Sequence, residues 1–239
     1  MTIGKNCFLN GGRGHLEPTS FALKDCPKVK TLTVGYQSFY LFGQCDLENL
    51  PSLEVIAVGG YCFQCCGEVR VAHLAALNKV SIGKNSFSQS TLNRGAFCLE
   101  DCPEAETLEL GKGACYNALR CVVRDNPKLR RVVLREGCFH AATELTLSNV
   151  DGLTELHVGT RCFAAMPASK DVMRTLRLSH LPGLKEVTIQ NGSFSFWGGL
   201  ELEDLTALKQ VTVGDACFAL DPEKGSKEEK CPKGRFVLK

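Results

Sequence analysis

Residues 200–218 read LELEDLTALKQVTVGDACF, and the same nineteen-position pattern recurs eight times in this chain of 239 residues. Its apolar skeleton is L-x-L-x-x-L-x-x-L-x-x-V-x-V-x-x-x-C-F. The last position, which we call the plug, recurs after 31, 24, 24, 28, 24, 24, 31 and 24 residues: Phe8, Phe39, Phe63, Phe87, Cys115, Phe139, Phe163, Phe194 and Phe218. The unit is therefore 24 residues long, with three insertions. A fixed period of this length indicates a solenoid.

Each repeat contains two short runs of alternating apolar residues, such as Leu200 and Leu202, then Val211 and Val213. Alternation of this kind predicts strands with one buried face. A polar column of Asp, Asn or His ends the first run. Asp and Asn there can bond the backbone two residues on, which predicts a turn. A glycine often ends the second run, where it allows a positive φ or a tight corner.

One repeat cannot bury its apolar face alone, so neighbouring repeats must stack as coils. We expect a β-rich solenoid: a leucine-rich-repeat-like, right-handed stack of about eight coils of 24 residues, with parallel strands and little α-helix. We expect the whole chain, 1–239, to form one solenoid domain that begins and ends inside a repeat. Met1 aligns with the middle of a second strand, and residues 236–238 resemble the first strand of a ninth coil. We therefore expect a portion of a longer array, or end-to-end contact with further repeats.

Two sets of residues carry a family resemblance. Residues 34–39 (VGYQSF) and 82–87 (IGKNSF) are similar to the I-G-x-x-A-F signature of BspA-like leucine-rich repeats, and residues 53–63 resemble the leucine-rich-repeat core. The resemblance implies an interaction scaffold. The column that usually carries a ladder of asparagines does not do so here, so the backbone groups at that corner must find other hydrogen-bond partners. This column carries Gln37, Tyr61, Asn85, Gly113, Gly137, Arg161, Gly192 and Ala216.

Composition excludes several classes of partner. The net charge is +2, from 28 basic and 26 acidic residues, so no overall field favours nucleic acid. No apolar run is long enough to span a membrane. The N-terminus lacks the basic and apolar regions of a signal peptide. We expect a protein or peptide partner and no specific nucleic acid.

Fourteen cysteines are present, and six lie in or beside the plug: Cys7, Cys62, Cys115, Cys138, Cys162 and Cys217. Free cysteine packs as a small hydrophobe, which favours buried, reduced thiols here. Such thiols favour a reducing, intracellular compartment, although a fragment of a surface protein stays open. Only Cys138 and Cys162 share a column in consecutive coils, close enough for a strained disulfide.

The spacing Cys62-x-x-Cys65-Cys66 offers an alternative function, a thiol-dependent redox or metal-binding protein. A structural zinc site uses four ligands, usually from two such pairs, and no second pair of matching spacing occurs. The nearest histidine, His73, falls in the turn column. The five histidines are not flanked by a nucleophile motif, and the Gly-Gly pairs are not phosphate loops. We therefore expect no metal, no cofactor, no catalytic residue and no enzymatic activity.

The basic stretch 120–135 resembles a nucleic-acid patch in isolation, but the columns place acidic residues beside it. The expected pairs, one coil apart, are Glu100 with Arg124, Glu104 with Lys128, Glu106 with Arg130 and Arg131 with Glu155, and nearer the N-terminus Lys30 with Glu54 and Asp46 with Arg70. Opposite charges on adjacent strands stabilise their register. We also expect Asn126, in a column of Cys, Leu and Val, to bond turn backbone of a neighbouring coil.

The favoured function is a non-enzymatic scaffold that binds a protein through the exposed second sheet and the edge loops. The sheet residues proposed for binding are Glu109, Arg131, Glu155, His157 and Glu186. The three insertions, at 9–20, 88–96 and 164–175, all follow a plug, so their loops should emerge along one edge. The third loop offers Met166, Lys170, Met173 and Arg174 together. Methionines can adapt to a partner surface, and the cations can orient an acidic one.

Overall fold

A computed structural model describes residues 1–9, 19–88, 95–165, 174–219 and 235–239. These residues contain strands and no helix. The first strands of the coils are β2 (Ser20–Lys24), β4 (Gln44–Glu48), β6 (Glu68–Ala72), β8 (Ala96–Glu100), β10 (Arg120–Arg124), β12 (Glu144–Ser148), β14 (Thr175–Ser179), β16 (Gly199–Glu203) and β18 (Arg235–Leu238). The second strands are β1 (Thr2–Ile3), β3 (Thr31–Val34), β5 (Val55–Val58), β7 (Lys79–Ile82), β9 (Thr107–Leu110), β11 (Arg131–Leu134), β13 (Glu155–Val158), β15 (Glu186–Ile189) and β17 (Gln210–Val213).

All strand pairs among the described residues are parallel, and paired residues occupy equivalent positions in neighbouring coils. Arg131, for example, lies opposite Glu155, which is 24 residues further on. The second strands form one nine-stranded sheet from β1 to β17. The first strands form a six-stranded sheet, β2 to β12, and a three-stranded sheet, β14 to β18. The chain is a parallel β-solenoid of about eight turns, as the repeat predicts. Strand β18 pairs in parallel with β16 and extends the layer of first strands.

The core lies between the two layers and contains a column of stacked plug rings. The centroids of Phe39 and Phe63 are 4.7 Å apart with an interplanar angle of 8°. Similar stacking continues from Phe163 to Phe194, at 4.8 Å and 3°. The column is interrupted at Cys115. There the fully buried Phe97, from the first strand of the same coil, packs edge-on against the next plug ring.

Each coil turns at three positions that have positive φ. They are the turn column after the first strand, the column of the expected asparagine ladder, and the plug, where φ lies between 51° and 57°. Left-handed conformations cost non-glycine residues about 1–2 kcal/mol each. Burial of a phenylalanine side chain stabilises by about 1.5–3 kcal/mol and so offsets this strain. The second strand ends instead in a close approach: a Cβ on Gly83 would lie 2.5 Å from the carbonyl carbon of Gly59.

Side chains of the turn column pair across coils. The sequence suggested bonds to local backbone, but the side chains bond one another because equivalent residues lie one strand spacing apart. The pairs are Asn49 with Asp25 (2.6 Å), His73 with Asp101 (2.8 Å), Asn149 with Asp125 (2.6 Å) and His180 with Asp204 (3.1 Å). Each of these four pairs joins two neighbouring coils.

Asn126 behaves as predicted. Its side chain is fully buried, and its Nδ2 donates to the Leu99 carbonyl of the preceding coil at 3.0 Å. Its Oδ1 accepts from the Cys102 amide at 3.1 Å, and Nδ2 also donates to the Arg124 carbonyl at 2.7 Å. The amide thus links the turns of two coils. In the part of the chain that the structure describes, no helix has the length and hydropathy to cross a membrane.

Candidate interaction surface

The outer face of the nine-stranded sheet holds five of the residues proposed for binding. Arg131, Glu155 and Glu186 follow one another in a single row across β11, β13 and β15. Glu109 and His157 lie in the next row, on either side of Val133. The structure therefore brings these five residues together on four neighbouring strands, β9 to β15.

Charges on this face form a network across four strands. Arg131 Nε donates to Glu155 Oε2 at 2.9 Å, and its Nη1 donates to Glu109 Oε1 at 3.2 Å. Lys79 Nζ approaches the other oxygen of Glu109 at 3.8 Å. The hydrogen bond to Glu155 raises the pKa of Arg131. Because these side chains are exposed, each pair contributes less than about 1 kcal/mol to stability. Glu186 forms no ion pair within the described residues.

The third loop is described only in part. Met166, Lys170 and Met173 lie outside the described residues, so their placement stays a prediction. Arg174 is described, at the residue before β14. Its Nε is buried and has no hydrogen-bond partner among the residues that the structure describes, and burial lowers the pKa of its guanidinium. Arg174 therefore differs from a freely exposed edge cation.

An aromatic cluster that the repeat pattern does not predict lies beside this face. Tyr36, next to the end of β3, is 46% exposed, and its ring lies 5.4 Å from that of Tyr61 in the next coil. Lys84 Nζ lies 5.7 Å from the Tyr61 ring centroid, in the range of a cation–π contact. The two tyrosines occupy different columns, which is why stacking the repeats did not place them together.

Most of the predicted ion pairs form. Glu100 pairs with Arg124 at 3.1 Å, Glu104 with Lys128 at 2.7 Å, Arg131 with Glu155 at 2.9 Å, and Lys30 with Glu54 at 3.9 Å. The other two pairs lie side by side as predicted but form no ion pair with each other. Arg70 reaches Glu48 at 2.9 Å instead of Asp46, which pairs with Lys24, and no ion pair of Glu106 or Arg130 occurs among the described residues. A long arginine reaches a diagonal neighbour as easily as the residue directly opposite.

The thiols next to the plug do more than fill space. Cys62 Sγ donates to the Gly35 carbonyl of the preceding coil at 3.0 Å, and Cys138 Sγ donates to the Gly111 carbonyl at 3.1 Å. Ser86 occupies the same column and donates to the Gly59 carbonyl at 2.8 Å. We call this column the Ser/Cys ladder; its described donors are Ser38, Cys62, Ser86, Cys138, Cys162, Ser193 and Cys217. Its hydrogen bonds satisfy backbone carbonyls at the corner of the coil where an asparagine ladder is absent.

The geometry of Cys62, Cys65 and Cys66 does not form a metal site. Cys62 bonds across coils, whereas Cys66 Sγ donates to the Glu68 carbonyl at 3.0 Å. Burial raises the pKa of all three thiols and so disfavours the thiolate that metals and redox chemistry use. No cluster of three or more His, Cys, Asp or Glu side chains suited to a metal occurs among the described residues.

Cys138 and Cys162 are free thiols that donate to carbonyls of different residues, Gly111 and Arg135. Burial, followed by the neighbouring Cys162 thiol, raises the pKa of Cys138. Eight of the thirteen described cysteines are buried and none is in a disulfide. The column that suggested a bridge is occupied instead by hydrogen bonds of the Ser/Cys ladder.

No protein-family model matches this chain, and no curated protein or solved structure matches it. The resemblance to leucine-rich repeats therefore rests on the motifs in the sequence.

Proposed function

We propose that this chain is a non-enzymatic scaffold of the leucine-rich-repeat type, similar to the BspA-like class. It binds a protein or peptide partner through the outer face of the nine-stranded sheet and the adjoining edge. The observation that carries the proposal is the uninterrupted sheet, whose outward residues are mostly polar and mixed in charge, beside the exposed Tyr36 and the half-buried Tyr61. Protein interfaces are enriched in tyrosine and have polar rims.

The size of this face supports a partner that also contacts the edge. Nine strands spaced at about 4.8 Å extend roughly 38 Å, and four residues per strand span about 13 Å. The sheet therefore offers about 500 Å², whereas one side of a stable interface buries about 800 Å². Tyr36 and Tyr61, beside this face, add contact area for the partner.

Charge divides the face into two parts. The part near the N-terminus carries small neutral residues, including Thr33, Ala57 and Ser81, beside the tyrosines. The part near the C-terminus carries the network of Glu109, Arg131 and Glu155. We infer that the neutral part supplies contact area and the charged part supplies orientation, because exposed charges affect association rate and specificity more than affinity.

Capture on immobilised chain from the source cell, quantified by mass spectrometry, tests the proposal. Wild type is compared with Tyr36→Ser, with Glu186→Lys, and with the control Ala22→Lys on β2 in the other layer. A genuine partner is reduced severalfold by the first two changes and unaffected by the control. The purified partner then gives dissociation constants with the same ranking. A partner that Ala22→Lys removes, and that the other two retain, would place recognition on the first-strand layer.

A further inference from the structure

The chain turns a corner after each second strand, and this corner adjoins the outer face of the nine-stranded sheet. Equivalent residues of successive coils lie side by side there. The Gln37 amide donates to the Gly60 carbonyl at 2.9 Å, and the Tyr61 amide donates to the Lys84 carbonyl at 2.7 Å. Four residues of three successive coils meet around these bonds, and we call them the Tyr–Lys corner: Tyr36, Gly60, Tyr61 and Lys84.

Side chains of the Tyr–Lys corner converge on Gly60. A Cβ on Gly60 would lie 3.6 Å from the ring carbons Cδ2 and Cε2 of Tyr36, so this ring packs against the Gly60 backbone. The Tyr61 ring lies 5.4 Å from the Tyr36 ring, and Lys84 Nζ lies 5.7 Å from the Tyr61 ring centroid. Tyr36 and Lys84 are both exposed. The corner therefore presents an aromatic surface and an ammonium group to solvent together.

Acidic neighbours do not compensate the positive charge of this corner. In the next coil Lys112 pairs with Glu136 at 2.7 Å, whereas Lys84 and Lys5 have no ion pair among the described residues. Aspartate and glutamate are absent from the two corner columns of these coils, which contain Lys5, Asn6, Tyr36, Gln37, Gly60, Tyr61, Lys84 and Asn85. The corner is therefore complementary in charge to an acidic partner.

We propose that the Tyr–Lys corner binds an acidic segment of the partner protein, extended along the solenoid axis, in which an apolar residue lies between two acidic ones. The apolar side chain packs on the Tyr36 ring, and the two carboxylates pair with Lys5 and Lys84. Tyrosine suits this contact because its ring offers a large apolar surface at a low cost in conformational entropy. The inference names the chemistry of the partner and so rests on the proposed function.

The spacing of the coils sets the spacing of the acidic residues. Lys5, Tyr36, Gly60 and Lys84 occupy successive coils, so about 14 Å separates Lys5 from Lys84 at about 4.8 Å per coil. An extended peptide rises about 3.3 Å per residue, so four residues span about 13 Å. Residues i, i+2 and i+4 of such a peptide face the same side. The expected motif is therefore acidic–x–apolar–x–acidic, with the apolar residue over Tyr36 and Gly60.

Aromatic and basic side chains together also occur in proteins that bind single-stranded nucleic acid, where successive bases stack on aromatic rings. The geometry of the corner favours the peptide. Lys84 lies over the Tyr61 ring, and the two tyrosine rings meet at an interplanar angle of 60°. They do not offer parallel faces for successive bases.

A fluorescein-labelled peptide of sequence TETLTET serves as the probe, with acidic residues four positions apart and leucine midway. We expect saturable binding to the full chain by fluorescence anisotropy, weaker as the salt concentration rises from about 50 to about 200 mM. The peptide TLTEETT has the same composition with adjacent acidic residues, and should bind severalfold more weakly. The basic peptide TKTLTKT should not bind.

Variants of exposed residues locate the binding. Lys84→Gln should weaken binding of TETLTET by about two- to fivefold, the effect of one exposed charge pair, and Lys84→Glu should weaken it further. Tyr36→Ser should also weaken binding, because it removes the apolar contact. Lys28→Glu is the control: it makes the same change of charge in the coil of Tyr36, but in the turn at the opposite edge, and should leave binding unchanged.

Several results would overturn the inference: no binding of TETLTET, equal binding of TETLTET and TLTEETT, or binding that Lys84→Gln leaves unchanged. Tighter binding of a labelled thymidine oligonucleotide, lost in Lys84→Glu, would assign the corner to nucleic acid instead. The proposed function fails separately. If capture of a partner depends on Tyr36 and Glu186 while no acidic peptide binds, the scaffold stands and the acidic motif is wrong. If the peptide binds as expected while capture is insensitive to both substitutions, the sheet face is not the partner's site.

Discussion

Replacement of Ser86 by alanine tests the Ser/Cys ladder. Ser86 is fully buried; its hydroxyl donates to the Gly59 carbonyl at 2.8 Å and accepts from the Cys62 amide at 3.0 Å. Each bond contributes about 0.5–1.5 kcal/mol net, and a buried group left unpaired costs about 1–3 kcal/mol. We expect Ser86→Ala to lower the free energy of unfolding by about 2–3 kcal/mol. Ser86→Cys keeps the donor, as Cys62 does in the preceding coil, and should cost about 1 kcal/mol.

Urea unfolding followed by both Trp197 fluorescence and far-UV circular dichroism measures these differences, provided the two transitions coincide. For a chain of this size, 2–3 kcal/mol corresponds to a melting temperature about 5–10 °C lower. Ser88→Ala is the control, because Ser88 donates only to the nearby Asn85 carbonyl. Equal losses for Ser86→Ala and Ser86→Cys would show that the thiols act by volume alone. An undiminished stability of Ser86→Ala would refute the ladder itself.

Three further predictions concern buried positions. Burial raises the pKa of Cys102 to about 12, above its unfolded value near 9. The contribution of this thiol to stability is therefore fully present below pH 9 and falls by about 1.4 kcal/mol per pH unit as the pH rises toward 12. Cys102→Ala should flatten the dependence of the unfolding free energy on pH between 9 and 12, as measured by urea unfolding. Asn126→Ala removes three hydrogen bonds and should lower stability by about 2–4 kcal/mol, whereas an exposed side chain would lose little. Cys115→Phe should overpack the core and lower the free energy of unfolding by about 1–3 kcal/mol. The double variant Cys115→Phe with Phe97→Val should recover most of this stability in a thermal melt. If the losses of the two single variants simply add in the double variant, the two positions do not compensate each other.

The strands and their register follow from the sequence because alternation and the 24-residue period act in the same direction. A column places Arg131 beside Glu155, and the structure places them 2.9 Å apart. The outer face of the nine-stranded sheet is predictable for the same reason, since outward positions are those between apolar ones. The alternation of apolar and polar residues does not predict which atoms form hydrogen bonds at a corner of the coil. The hydrogen bonds of Cys62 and Ser86 depend on the carbonyl of the preceding coil, and so required the structure.

The break in strand pairing between β12 and β14 has no counterpart in the local sequence. Residues 144–148 (ELTLS) alternate as regularly as residues 120–124 (RCVVR), yet only the latter pair on both edges. Pairing depends on the neighbouring coil as well as on the strand's own pattern, and the 164–175 insertion directly precedes β14.

The exchange at Cys115 shows how departures from the repeat keep the core filled. Within one coil, the plug has lost its ring, and the first strand has gained one at Phe97, where other coils carry residues such as Cys45 or Val69. Both side chains are buried, and the Phe97 ring lies 6.1 Å from that of Phe139, which restores an aromatic contact across the gap in the stack. When only one column of the aligned repeats is considered, each of these two substitutions departs from the repeat without an evident reason. Since interiors are close-packed, the two changes compensate in volume, and the coil, not the column, is the unit that must fill its share of the core.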